Sequence, residues 1–240
     1  PDGYFYMTLF DRWSKEPKQR EICAYRTQQG IKSDDWQAGF RQGGGMAIAS
    51  LAEAAAVTSN AQQKDIWLSC AQRGYRHLKE NNLAYLDNGR ENIIDHYCAL
   101  IAAVALWRSS KDSVFQTEAA IWADKLIQNG GQDDRFDFYW TCEPNLERPY
   151  FHAAEAGMPV IALLYFLEHG DPDEELTKAV ESTLEKALNF ELHITQQVPS
   201  PFGLARQYVQ GTRSAKRVSF FIPHDNESGY WWQGENARLA

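Results

Sequence analysis

The chain is short of the residues that staple a small fold, cross a bilayer or grip a polyanion. Cysteine is scarce: Cys23, Cys70, Cys98 and Cys142 are the only four, far apart and without a C-x-x-C pair. That spacing argues against a zinc site and points to reduced, mostly buried thiols, although spacing alone leaves disulfides open. No apolar run approaches the ~18 residues of a membrane span. Basic residues are outnumbered, 24 Lys plus Arg against 32 Asp plus Glu, a formal net charge of −8. Nucleic-acid binding needs a concentrated cationic surface, so that partner class is excluded as well.

What is present is an ordinary globular composition. Hydrophobic residues make up 44% of 240 residues, enough for one large domain or two small ones with a substantial core. Aromatic content is 13%, with eight tryptophans. Such rings serve either as core filler or as platforms for flat ligands.

Periodicity predicts helix after helix. Gly44 to Val57, Ile93 to Trp107 and Ala153 to Glu168 are small and apolar, as helices packed on most sides would be. Gln62 to Asn81 carries the stripe Ile66, Trp67, Cys70, Tyr75 and Leu78; Ser113 to Ile127 carries Ile121, Trp122 and Leu126; Asp173 to Ile194 is charged and amphipathic. A seventh helix is expected from Tyr230 onward. Apolar helices starting at 44, 93, 153 and 230 therefore alternate with polar-faced partners, at uneven spacings of 49, 60 and 77 residues. Uneven spacing rules out a solenoid of fixed period. The fold expected is all-α, a partial (α/α)6 toroid in which each apolar helix lines the interior and its partner covers it.

Connections within each hairpin are short and polar: Thr58 to Ala61, Ser109 to Asp112, Gly170 to Pro172. Those between hairpins are long, aromatic and charged, and each leads into the start of an inner helix, so a toroid gathers them on one rim. They carry Asp34, Asp35, Trp36 and Arg41; Arg90 and Glu91, with Asp95 just beyond; Trp140, Arg148, Tyr150 and His152, with Glu155 just beyond; and His224, Asp225, Asn226 and Glu227. Function concentrates on loops held by a rigid scaffold. Aromatic rings beside carboxyls, Arg, Asn and His suit a sugar, whose C–H face stacks on a ring while its hydroxyls take hydrogen bonds. Trp36, Trp140, Tyr230, Trp231 and Trp232 are the candidate platforms. Paired carboxyls, such as Glu91 with Asp95 or Asp225 with Glu227, have the chemistry for acid–base work on a glycosidic bond.

Other motifs carry less. Gly43-Gly44-Gly45 lacks a preceding strand and the fingerprint spacing of a phosphate loop, so close helix packing is the better reading. His224, Asp225 and Glu227 have no helical two-His pattern to make a metal site. Asn226-Glu227-Ser228 matches a glycosylation sequon, a weak signal. No nucleophile elbow is present.

Five blocks together resemble glycoside hydrolase family 9: Asp2-Gly3-Tyr4-Phe5-Tyr6-Met7-Thr8; Phe40-Arg41-Gln42-Gly43-Gly44-Gly45-Met46 and on to Ala52; Gly89-Arg90-Glu91-Asn92-Ile93-Ile94-Asp95; Phe151-His152-Ala153-Ala154-Glu155-Ala156-Gly157; and His224-Asp225-Asn226-Glu227-Ser228-Gly229-Tyr230-Trp231-Trp232 with its continuation to Asn236. The likeness is nearest to the bacterial exo-β-D-glucosaminidase branch of that cellulase-like family. It implies an (α/α)6 barrel, an inverting two-carboxylate mechanism without a cofactor, an oligosaccharide substrate, and a bacterial cytoplasmic location.

The Asp-Ala-Gly-Asp-like motif that supplies the family's base precedes the matching blocks, and the acidic Glu follows them. Neither is found in residues 1–240, so the chain is expected to be an internal part of one catalytic domain, with the rest of that domain as its partner and an apolar face left open. What carries over is substrate lining: Trp36, Arg41, Arg90, Glu91, Asp95, His152, Glu155, His224, Asp225, Glu227, Tyr230, Trp231 and Trp232. Two rivals use the same scaffold. One is an amino-sugar epimerase, with His152 and His224 as acid and base; the other is a non-catalytic carbohydrate-binding module.

Overall fold

A computed structural model describes residues 3–7, 9–11, 20–22, 24–25, 32–33, 36–86, 88–152, 154–211 and 214–220. Its helices are α1 (Gly44–Val57), α2 (Ala61–Tyr85), α3 (Ile93–Ser110), α4 (Ser113–Ile127), α5 (Met158–His169) and α6 (Glu174–Gln196). Short antiparallel strand pairs fill the connections: β1 (Leu9–Asp11) with β2 (Arg20–Ile22), β3 (Ala24–Tyr25) with β4 (Lys32–Ser33), β5 (Gly130–Gly131) with β6 (Tyr139–Trp140), and β7 (Gln207–Val209) with β8 (Arg217–Ser219). The chain is mostly helical, as the periodicity predicts.

The polar-faced helices α2, α4 and α6 are started by Asn60, Asp112 and Asp173, whose side chains accept from the amides of Gln63, Val114 and Leu176. Such caps satisfy donors that a helix cannot use internally. The buried stripe of α2 is Ala71, Gly74, Tyr75, Leu78 and Asn82. Ile66 on α2 and Ile121 on α4 lie instead on the solvent side, about half exposed.

Helix α3 is the hub. Every residue from Ile93 to Leu106 is buried, with α1 on one side, α5 on another and α4 across it. Helix α2 covers α1, and α6 packs on α4 and α5. Helix α1 approaches α3 closely because Gly45 has no side chain: a Cβ there would lie 2.8 Å from the Cβ of Cys98 and 2.9 Å from its carbonyl oxygen. Close packing is thus what the glycine run provides. Between α2 and α4, the Trp122 indole donates to the Tyr75 hydroxyl (2.8 Å), which donates to Glu118 (3.3 Å), while Phe40 and Phe115 meet Tyr75 edge-on.

Two expectations need correction. Helix α5 begins at Met158, five residues later than Ala153, and Pro159 sits in its first turn. Proline lacks an N–H and is tolerated there but not in a helix interior, so a start at Ala153 is barred by the sequence itself. The segment from Val198, read as open loop, contains the β7–β8 hairpin. The seventh helix expected from Tyr230 falls outside the described residues.

Candidate functional site

The start of α3 is built by local sequence. Asn92 accepts from the Ile94 amide (2.9 Å), and Asp95, three residues on, reaches back to accept from the Asn92 amide (3.1 Å). This is a capping box, two otherwise idle donors satisfied reciprocally. Asp95 then gathers its neighbours. Its carboxyl also accepts from the Arg41 guanidinium (3.2 Å), the Arg41 amide and the Asn82 side chain (3.3 Å each). The side chains of Asp95 and Arg41 are 0% and 5% exposed, a buried ion pair. Burial pushes the Asp95 carboxyl up, against the opposing pull of Arg41. Arg41 further donates to the Arg90 carbonyl (3.2 Å) and to Asn88 (3.3 Å).

Two residues on from Asp95, α3 presents Tyr97, whose hydroxyl donates to Glu155 and lies 3.5 Å from that of Tyr150. Tyr150 donates to the Glu155 carbonyl (3.2 Å). His152 organises the same bend: its Nδ1 accepts from the amides of Ala154 (3.1 Å) and Glu155 (3.0 Å). The bend is clamped to the β7–β8 hairpin by Gln207, whose side chain accepts from the His152 amide and donates to its carbonyl, both at 3.0 Å. Cys98 sits between the two groups: burial, then the charges of Asp95 and Glu155, push its thiol up. The Ile93 amide donates to the Cys142 carbonyl (2.8 Å). The segments leading into α1, α3 and α5 are therefore bonded directly to one another. At the other end of the same helices, Arg108 of α3 pairs with Glu53 of α1 (2.5 Å), and Tyr165 of α5 donates to Glu53.

The structure brings Arg41, Arg90, Glu91, Asp95, His152 and Glu155 to this one end, in two groups flanking the first turns of α3. Their surroundings differ. Arg41 and Asp95 are sealed against each other, with both Asp95 oxygens already engaged, so they brace the starts of α1 and α3. Glu91 is partly exposed and bonded to Lys125 (3.0 Å) and Asn82 (3.3 Å). Arg90 is mostly exposed, beside Glu143 (3.3 Å). Glu155 is partly exposed, and His152 is buried. Trp36 is half-buried, with its carbonyl accepting from the Met7 amide (2.7 Å). Trp140 is no platform: it is 4% exposed and meets Phe138 edge-on. Asp34, Asp35, His224, Asp225, Glu227, Tyr230, Trp231 and Trp232 lie outside the described residues.

Sequence reading passed over Asn82, Tyr97, Glu143 and Gln207. Asn82 and Gln207 left no local signal, since each acts on a partner 13 and 55 residues away. Tyr97 had one: it follows Asp95 by two positions on a helix whose start was legible. Also unforeseen is His96, which burial pushes down to about 4, so that its neutral ring donates from Nδ1 to Asn129 (2.7 Å).

Two clefts among the described residues lie away from this end. One of about 420 Å³ is lined by Trp107, Lys111, His169 and Asp171 at the far ends of α3 and α5; another of about 410 Å³ lies between Phe136, Phe138 and α6. Among the described residues, no group of His, Cys, Asp or Glu is placed to hold a metal ion, and no helix is long and apolar enough to cross a membrane. Comparison with protein-family models and with curated proteins gives no match.

Proposed function

We propose that the chain is part of an (α/α)6 toroid of the glycoside hydrolase family 9 type, acting on β-1,4-linked glucosamine or glucan oligomers with inversion. The observation that carries this reading is the convergence of the segments leading into α1, α3 and α5, with Arg90, Glu91, Glu143 and Glu155 at one end of a row of apolar helices. Partly exposed carboxyls of that kind suit hydroxyls, and suit the ammonium of a glucosamine unit better than a glucose hydroxyl. The catalytic base and acid come, in this reading, from segments outside residues 1–240. Further helices of the toroid cover Met46 of α1 and Ile161 and Leu164 of α5, which are 39 to 52% exposed. His224, Asp225, Glu227, Tyr230, Trp231 and Trp232 complete the sugar-binding rim.

The epimerase alternative needs His152 as an acid–base group. Its Nδ1 already accepts two backbone amides and its ring is buried, which suits a bend-former better than a proton carrier.

The test has two arms. Calorimetric titration of the chain with chitosan and cello-oligosaccharides is expected to show saccharide binding that Glu155→Gln and Arg90→Ala weaken. A polypeptide extended on both sides is expected to release sugar whose first-formed anomer is α, seen by NMR. Absence of binding to either oligomer, together with no release by the extended polypeptide, overturns the proposal.

A further inference from the structure

The cleft of about 410 Å³ between the α4–α5 connection and α6 combines an apolar lining with unpaired charge. Its buried lining is three phenyl rings, Phe136, Phe138 and Phe190. Phe136 meets Phe190 edge-on with ring centroids 5.2 Å apart, and meets the His193 ring edge-on at 6.1 Å. Arg135, Asp137, Lys186, Asn189 and His193 line the same cleft from exposed positions. Lys186, Asn189, Phe190 and His193 share one face of α6, because they fall at i, i+3, i+4 and i+7.

The opposite wall is set in advance. Asp133 accepts from the amides of Arg135 (3.0 Å) and Phe136 (3.1 Å), and its own amide donates to the Phe136 carbonyl (2.9 Å). Its second oxygen is held by the Tyr208 hydroxyl (2.9 Å) and Lys216 (3.1 Å). A turn fixed in this way spares a ligand the entropy of ordering it. The Arg135 guanidinium lies over the rings of Phe136 (5.3 Å) and Tyr208 (5.5 Å), and donates to the Lys216 carbonyl (3.1 Å). Its fork has five N–H donors, so others remain for a ligand. Among the described residues, neither Arg135 nor Lys186 is ion-paired, and the side chains of Lys186, Asp137 and Asn189 make no hydrogen bond.

We propose that this cleft is a binding site for a small organic anion, an acid group on a body the size of one ring: Arg135 and Lys186 hold the charge, and the phenyl lining takes the body. Two fixed cations stand against one carboxyl, so the lining favours an anion although the whole chain carries −8. A charge pair formed beside an apolar wall is less screened than one in open water. The body adds affinity by taking phenyl surface out of water. A volume of about 410 Å³ is in the range of small-molecule sites. Asn189 and Asp137 accept from any hydroxyl or N–H the ligand carries.

The site is separate from the rim and stands whether or not the rim binds sugar. Its test uses phenylacetate as the probe, with acetate (charge without body) and benzyl alcohol (body without charge) as its two halves, followed by ¹H–¹⁵N NMR of the chain. Phenylacetate is expected to give saturable shifts confined to residues 135–138 and 186–193, with half-saturation at about 1 mM for a ligand of about ten heavy atoms. Either half alone is expected to bind several-fold more weakly. Lys186→Glu is expected to weaken the probe about ten-fold or more, while Lys186→Arg, and Lys178→Glu outside the cleft, keep it. Acetate binding as tightly as phenylacetate marks an adventitious ion only and overturns the proposal. So do benzyl alcohol binding as tightly as phenylacetate, shifts centred elsewhere, equal losses from Lys186→Glu and Lys178→Glu, or no saturation by about 20 mM.

Discussion

Replacing Arg41 by Met tests the buried pair that braces the starts of α1 and α3. Methionine keeps the apolar stem and removes the guanidinium, leaving Asp95 at 0% exposure with three of its four donors: the amides of Asn92 and Arg41 and the Asn82 side chain. Stranding a buried charge generally costs about 3–5 kcal/mol, and the surviving donors place this site near the lower end, about 3 kcal/mol. A pH signature accompanies the loss. Burial already holds the Asp95 carboxyl above its ordinary value, and Arg41 opposes that shift. Without the guanidinium the folded value rises further. A carboxyl raised in the folded state contributes stability below its unfolded pKa and loses it as pH rises through the folded one. The deficit of Arg41→Met is therefore small near about pH 4 and complete near about pH 8. Urea unfolding followed by circular dichroism at both pH values measures it. Adding Asp95→Asn removes the stranded charge, so the double variant is expected to recover about 1–2 kcal/mol of the single variant's loss. A cost under about 1 kcal/mol at alkaline pH, or one that does not change with pH, refutes the argument that the pair is a desolvated brace.

The same linkage gives Glu191→Gln, on α6, the opposite sign, because burial pushes that carboxyl up. With the folded carboxyl near 7 and the unfolded one near the usual glutamate value, stability falls as pH rises between the two; the variant gains up to about 3 kcal/mol above that window and nothing below it, read from unfolding midpoints across pH. Gly45→Ala forces a Cβ to 2.8 Å from that of Cys98, and thermal unfolding should show a loss of about 1–3 kcal/mol as α1 is pushed off α3. Asp112→Ala removes the cap of α4 and is expected to cost about 1 kcal/mol in urea unfolding, with Asp112→Asn restoring most of it.

Much of the scaffold was determined by local sequence. Apolar residues at helical spacing placed five helices within a few residues of where they lie, and Asn60, Asp112 and Asp173 start three of the six helices, because period and capping are properties of adjacent positions. The late start of α5 was written in Pro159 as well. The capping box joining Asn92 to Asp95 was equally local, and it changes the meaning of Asp95: its spacing from Asn92 marks a helix start before it marks a ligand.

Only the tertiary structure decided which polar and aromatic groups face solvent. Trp36 and Trp140 look alike in sequence, yet β6 pairs with β5 and turns Trp140 inward against Phe138, while Trp36 stays only half-buried. Arg41 and Arg90 both precede apolar helices, yet one is sealed against Asp95 and the other stands open beside Glu143. Burial is set by elements arriving from far along the chain: Asn82 closes over Asp95, and Gln207 reaches His152 across 55 residues. Local periodicity fixes which face of a helix is apolar; what comes to lie on its polar residues depends on packing, and packing decides whether a charge is sealed into a pair or stands open to solvent.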